Sequence, residues 1–405
     1  MTSQTATKNI PTVPRIKTIV NLFKFLDNPI PIIQEALEEH GETYQVYLGG
    51  AIRNIMTIDP DIIQHIMQKN NKNYHKSDLT KKRLGKYLGQ GLLTSDGDYW
   101  LQQRRLIQPG FHKARLATLA DTMNDEISAY MSKLDKRIDQ GDDIINVTSE
   151  MMELTLNIVC KALFGSEMDQ SILDEFGHNM HMIQEYLVRE VRTPLFHFWR
   201  EINGTNKKSK NLSDKTNEIV LDFIKKRRQS KEMHDDLLDM LLHSTYEDTG
   251  ETMNDQQLLE EALILFVAGH ETSAVASGWT LMLLSQHPDV SHQLGKEYNT
   301  LFSEEPPSFG QVRELDYSRQ VISEALRRYP PAWIVDRLAL EEDQVNGMII
   351  PKGATIAAYV YGAHHNPRHW NDPNRFDPSR FEKSKMKNIH PFAYFPFGGG
   401  PRLCI

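Results

Sequence analysis

Apolar and polar residues follow two different periods along this chain. Near the start, "ETYQVYLGG" and "AIRNIMTIDP" are β-rich runs on either side of a Gly49-Gly50 turn, which predicts a hairpin. The next run, "DIIQHIMQKN", changes to helical spacing. From about Trp100 to Arg328 the helical period dominates, as in "ISAYMSKLDKRID", "TNEIVLDFIKKRRQS" and "DDLLDMLLHS". After Pro330, "QVNGMIIPKGATIAAYVYGAHHNP" alternates short β-branched runs with Asn-Gly and Pro-Lys-Gly turns, so a small second β element is expected there. The sequence shows no internal repeat, low-complexity tract or long Pro/Gly/Ser linker. The pattern predicts one large domain over residues 1–405, mainly α with small β-sheets, an α+β chain.

Two apolar stretches bear on membranes. Ile19 to Leu26 is interrupted by Asn21 and Lys24, too short and too polar for a signal sequence or a span. Ala262 to Leu284 approaches spanning length but carries His270, Glu271 and several hydroxyl residues, which predicts a buried core helix with a functional middle. No transmembrane span is expected, and the chain reads as soluble and cytoplasmic. Composition adds little: 405 residues with 40% hydrophobic and 25% charged residues is ordinary globular usage. The net charge of −8 and the brief basic clusters Lys81 to Arg83 and Lys225 to Arg228 exclude a nucleic-acid footprint. Two cysteines, Cys160 and Cys404, make no disulfide framework and suggest a reducing compartment. Cys160, inside "MELTLNIVCKALFG", reads as a buried small hydrophobe.

The chemistry concentrates at "PFGGGPRLCI", Pro396 to Ile405. A phosphate cradle would need a Gly-Lys-Ser/Thr continuation and a following helix N-terminus. A prenylation signal needs three residues after its cysteine, and Cys404 has one. Zinc needs about four ligands, and no Cys-x-x-Cys pair stands nearby, so no zinc is expected. A lone thiolate ligand remains, the axial donor of one class of haem iron, which pushes electron density toward the metal. Gly398 and Gly400, without Cβ atoms, would let the backbone pass close under a flat macrocycle, and Arg402 would reach a carboxylate on its rim.

Phe397-Gly398-Gly399-Gly400-Pro401-Arg402-Leu403-Cys404 resembles the haem-binding loop of the cytochrome P450 family. Three further motifs follow the family's order. The first is "AGHETS", Ala268 to Ser273, in the long apolar helix. A threonine there can divert its hydroxyl to the i−4 carbonyl. The resemblance implies that Glu271 and Thr272 deliver protons to dioxygen, with Ala268 and Gly269 leaving room. The second is "SEALRRYPP" with "NRFDPSRF": Glu324 and Arg327 share a helical face. By resemblance Arg380 locks onto that pair as structural scaffold. The third is "DYWLQQRRLIQPGFH", where Trp100 and Arg104 are i, i+4; the resemblance places them along the haem edge, with Arg105 as the rival for Arg104. Arg337 matches another propionate partner, so Arg104, Arg337 and Arg402 would face two carboxylates.

What the resemblance implies is the P450 fold, haem b (iron protoporphyrin IX) held by Cys404, O2 as co-substrate, and monooxygenation with electrons from NAD(P)H. No Rossmann fingerprint or fused reductase segment is visible, so the electron donor is expected to be a separate ferredoxin or flavodoxin-type protein with its reductase. The family pattern continues with a glycine two residues after the cysteine and a long helix. Their absence here leads to the expectation of a domain incomplete at its C-terminal end, lacking the proximal helix, and to a rival reading as a haem-free, non-enzymatic fragment. A haem-thiolate peroxygenase or isomerase is the other alternative, against which Glu271 and Thr272 argue. Phe266, Val267 and Ala268 on the long helix, Trp333 and Ile334 after the Pro-Pro pair, and "PLFHFWR" at 194–200 over an entrance are the candidate substrate pocket. All are apolar, and the motifs resemble the eukaryote-like branch of the family, so a fatty acid or terpenoid-like substrate and a monomeric, soluble bacterial-type enzyme are expected.

Overall fold

In the computed structural model, β1 (Thr43–Leu48) pairs antiparallel with β2 (Ile52–Thr57), Tyr44 opposite Met56 and Val46 opposite Asn54. The structure describes residues 8–48, 52–165, 169–192, 197–230, 232–302 and 306–405, so the Gly49-Gly50 turn of this hairpin lies outside the described residues. After β2 the chain enters a helix, Pro60–Gln64, capped by the Asp59 carboxylate on the Asp61 and Ile62 amides, and continues as a π-helical turn, His65–Lys69.

The sheet recruits strands from the far end of the sequence. With β3 (Tyr74–His75), β4 (Val335–Ala339) and β7 (Thr355–Ala358), its order is β1-β2-β7-β4-β3. Here β7 lies parallel to β2, Ile55 opposite Ile356 and Thr57 opposite Ala358. Only β5 (Asp343–Val345) and β6 (Met348–Ile350) form a separate hairpin. Asn346 at φ 51° and Gly347 at φ 78° make its two-residue turn. The second β element expected from the sequence is thus divided: its outer strands complete the N-terminal sheet. Burial explains the division, because Ile356, Ala357 and Ala358 are fully buried beside Ile55 and Met56 and would expose that surface in a free hairpin.

Two compact units emerge: Met1–Asp78 with Gln320–Ile405, which holds the sheet and the cysteine loop, and Leu79–Arg319, which is helical. In the helical unit, the Asp255–Gln286 helix opens with a capping box between Asn254 and Gln257 and ends before Pro288. It packs along Val147–Phe164. Aromatic edges set the core: Phe176 to Phe266 at 4.8 Å, Phe164 to Phe176 at 5.8 Å and Phe164 to Phe223 at 5.5 Å. Burying a phenylalanine this fully contributes about 1.5–3 kcal/mol. Cys160 is buried in the same core, and burial pushes its thiol up to about 12. No helix of the described residues is long and apolar enough to cross a membrane.

Candidate functional site

In the sheet-containing unit, the loop that ends at Cys404 is closed by its own backbone. Gly398 N–H donates to Phe395 O at 2.9 Å, Leu403 N–H to Gly400 O at 3.1 Å, and Cys404 N–H to Phe397 O at 3.0 Å. The three glycines answer three different demands. Gly398 sits at φ +73° in open space, a purely conformational requirement. Gly399 is extended, but a Cβ there would come within 2.4 Å of the Phe392 ring. Gly400 is at φ +66° and a Cβ would lie 1.9 Å from the Met67 carbonyl oxygen of the π-helical turn. The loop therefore approaches other backbone as closely as glycine permits. Cys404 is free and exposed, flanked by Phe397 at 57% and Leu403 at 48% exposure. A thiol between exposed apolar side chains suits a flat apolar macrocycle with a metal that takes one soft donor.

The lead-in to this loop is pinned to a buried charge pair. Glu324 and Arg327, on the helix Asp316–Arg328, have no exposed surface and bind in two places, Nε to Oε2 at 2.6 Å and Nη2 to Oε1 at 2.7 Å. Arg327 also donates to the carbonyls of His364 at 2.8 Å and Pro373 at 2.9 Å. Glu324 accepts the Asp377 amide at 3.0 Å. Arg380 reaches Glu324 at 3.5 Å and donates to Asn371 O and Asp372 O at 2.5 and 2.9 Å. The loop is thus tied to the ion pair at His364, Pro373 and Asp377, and through Arg380 at Asn371 and Asp372. From there, Trp370 Nε1 holds Ala393 O at 3.3 Å, Tyr394 OH donates to Ser323 O at 3.0 Å, and the Phe395 amide donates to His364 Nε2 at 3.0 Å. Removing either partner of such a pair would leave an uncompensated buried charge, a loss of about 3–5 kcal/mol.

Other sequence-predicted residues fall as follows in this unit. Arg337 on β4 is buried and donates to Asp336 O at 2.7 Å. Arg402 is half-buried in the single helical turn Gly400–Arg402. Trp333 and Ile334 are half-buried against the sheet core, Trp333 edge-on to Tyr359 at 6.1 Å.

In the helical unit, Thr272 donates its hydroxyl to the Ala268 carbonyl at 2.5 Å. Ala268, Thr272 and Ser273 form an exposed strip in the middle of the helix, just after its most buried stretch, Leu258 to Phe266. Beside them, burial raises the Glu271 carboxyl above its ordinary range, partly opposed by His181. A Cβ on Gly269 would meet Val159 at 3.2 Å, so this turn lies close against the Val147–Phe164 helix. His270 turns inward, its Nε2 at 3.0 Å from Met152 O. Phe266 is wholly buried between Phe176 and His270, whereas Val267 is half-buried. Trp100 and Arg104 are both half-buried on the helix Gly97–Ile107, and Arg105 is exposed. Of the run 194–200, residues 194–196 lie outside the described residues, and Trp199 is exposed.

Sequence reasoning passed over two acids on the same long helix. Glu260 accepts the Gln90 amide at 3.0 Å and Glu261 the Leu92 amide at 3.1 Å, so consecutive carboxylates hold one loop. Gly91 is required there, since a Cβ would come within 2.7 Å of the Glu261 carboxylate. Burial pushes Glu261 up to about 7, and the neighbouring Glu260 adds to this. The adjacent acids in "LLEEALIL" carry no signal that separates this role from a solvated helix face.

The family model described as cytochrome P450 matches residues 11–405. Cyclooctatin synthase of Streptomyces melanosporofaciens is 30% identical over 372 residues, which cover 91% of this chain and 79% of that protein. The cyclooctat-9-en-7-ol 5-monooxygenase of the same organism is 28% identical over 370 residues, with coverages of 91% and 79%. Among solved structures, the cytochrome P450DA heme domain superposes with a TM-score of 0.85 at 23% identity, covering 99% of this chain and 88% of that one. At that identity the superposition bears on the fold.

Proposed function

The chain belongs to the cytochrome P450 family of haem oxidoreductases, and from that premise we propose that it inserts one oxygen atom of O2 into a lipophilic substrate of the fatty acyl or terpenoid-like kind. Cys404, exposed between Phe397 and Leu403 on a glycine loop, is the observation that carries the reading. Bound haem iron with a thiolate donor supplies the O2 chemistry and favours O–O cleavage. The protein's own residues hold that group and handle protons. Cys404 would provide the thiolate, and Arg402 and Arg337 guanidinium partners for its carboxylates, a role that the family resemblance extends to Arg104.

The exposed Ala268–Thr272 strip provides proton handling. Thr272 would exchange its bond to Ala268 O for donation of its hydroxyl proton during turnover. Glu271, whose raised affinity for a proton comes from burial, restores that proton to the hydroxyl. One oxygen atom enters the substrate and the other leaves as water. Electrons arrive from a separate ferredoxin or flavodoxin-type donor. The relative named cyclooctat-9-en-7-ol 5-monooxygenase supports the terpenoid-like class.

Incubation of the haem-loaded protein with isotopically labelled O2, a ferredoxin, its reductase and NADPH tests this on a panel of fatty acids and terpenoid alcohols. Products heavier by one labelled oxygen are expected. Oxygen derived from water, or no product from either class, contradicts it.

A further inference from the structure

His364 makes a contact whose direction is dictated by chemistry. It ends the short helix Val360–His364 and has no exposed surface. Its Nε2 lies 3.0 Å from the Phe395 amide nitrogen. A backbone N–H only donates, so Nε2 must present a lone pair, and the imidazole carries its one proton on Nδ1. Burial acts in the same direction, pushing the ring down to about 3, and the nearby Arg327 guanidinium adds to the effect. The ring stacks on Tyr394 at 5.2 Å and meets Phe395 edge-on at 5.6 Å, so it has no room to turn. At its other end, the residue's own carbonyl accepts from Arg327 Nη1 at 2.8 Å.

This makes His364 the junction between the buried ion pair and the cysteine loop. Phe395, held by the imidazole, accepts the Gly398 amide at 2.9 Å through its carbonyl. Phe397, within that turn, accepts the Cys404 amide at 3.0 Å. We propose that His364 is a positioning residue for the Cys404 ligand, its Nε2 lone pair fixing the Phe395 amide and so the register in which the sulfur is presented. The proposal rests on the reading of Cys404 as the haem ligand. A residue of equal bulk but no acceptor fills the space and loses the register.

The test compares haem-loaded wild type, H364L and H364Q, whose side-chain oxygen can accept where Nε2 does. Three readouts are the ¹⁵N tautomer signature of His364, exchange of the Phe395 amide, and the thiolate-type band of the reduced carbon monoxide complex. Wild type is expected to show an unprotonated Nε2. In H364L the Phe395 amide should exchange about tenfold faster or more, with a reduced thiolate band, and H364Q should regain both. An unchanged band and unchanged exchange in H364L overturn the role. So does a band that stays low in H364Q while its Phe395 amide is protected, since packing alone would then explain the loss. If H364L does not fold, the decision passes to the other two proteins: an Nε2-protonated wild type or a band lost in H364Q overturns the role. A wild type that lacks the thiolate band defeats the Cys404 reading itself, an outcome distinct from all of these.

Discussion

Around the cysteine loop, Glu324 and Arg327 are wholly buried, yet their charges meet in two contacts and are wrapped by the carbonyls of His364 and Pro373 and the amide of Asp377. On the long helix of the other unit, Glu261 is just as buried but accepts one amide, and its second carboxylate oxygen has no hydrogen bond. A charge pair wrapped in this way fixes the geometry of the loops around it. A half-compensated acid such as Glu261, raised to about 7, exchanges its proton near neutral pH and ties the stability of its surroundings to protonation. The difference teaches that equal burial can be met by very different numbers of hydrogen-bond partners.

The most severe way to break the scaffold is Glu324→Ala or Arg327→Ala. Each should remove about 3–5 kcal/mol of stability, so thermal melts and the yield of haem-loaded protein should both collapse rather than turnover alone. Well-folded holoprotein with merely slower turnover would show that the pair does not support the loop. Next comes Gly400→Ala against Gly398→Ala. Both positions have positive φ, but only Gly400 faces backbone, at 1.9 Å. Strain at such a position is about 1–3 kcal/mol, and Gly400→Ala should lie at or beyond the top of that range while Gly398→Ala lies at the bottom.

The titrating half is sharpened by Glu261→Gln. Its folded carboxyl is raised to about 7 from an ordinary 4.5. Between these values the folded state binds more protons than the unfolded, so this group's contribution to stability falls as pH rises through the window and is lost above it. Glutamine keeps an acceptor for the Leu92 amide and removes the charge. The variant should match wild type at pH 4 and exceed it at pH 8 by about 1–3 kcal/mol, read as a difference in melting temperature. A constant difference across that range would mean Glu261 does not titrate as described. The smallest effect on stability belongs to Thr272→Ala, within about 0.5 kcal/mol, because the hydroxyl lies on an exposed strip. Its effect is chemical: electrons should appear as hydrogen peroxide instead of product, and unchanged coupling would remove Thr272 from proton delivery.

Legibility in the sequence follows the same division. The helical period from about Trp100 to Arg328, the Asn346-Gly347 turn and the Thr272 bond to the i−4 carbonyl are local, and local spacing foretells them. Glu324 and Arg327 announce themselves as a helical pair, but nothing in the spacing says that Pro373 and Asn371 carbonyls complete the cage, since those contacts close over long loops. The parallel pairing of β2 with β7 joins residues roughly three hundred positions apart, and no local pattern specifies that register. His364 was hidden by its neighbour: "AHHNP" offers two histidines of equal sequence signal, and only burial and the Phe395 amide separate them. Phe266, grouped with Ala268 by apolarity, belongs to a different face, the aromatic core, because a helix turns 3.6 residues per cycle.

The most direct test of the central claim is the carbon monoxide difference spectrum of the dithionite-reduced, haem-reconstituted protein, recorded for wild type and Cys404→Ser. A strongly red-shifted Soret band in wild type that vanishes in the variant is the predicted result. A wild type without that band, or a variant that keeps it, would contradict ligation by Cys404.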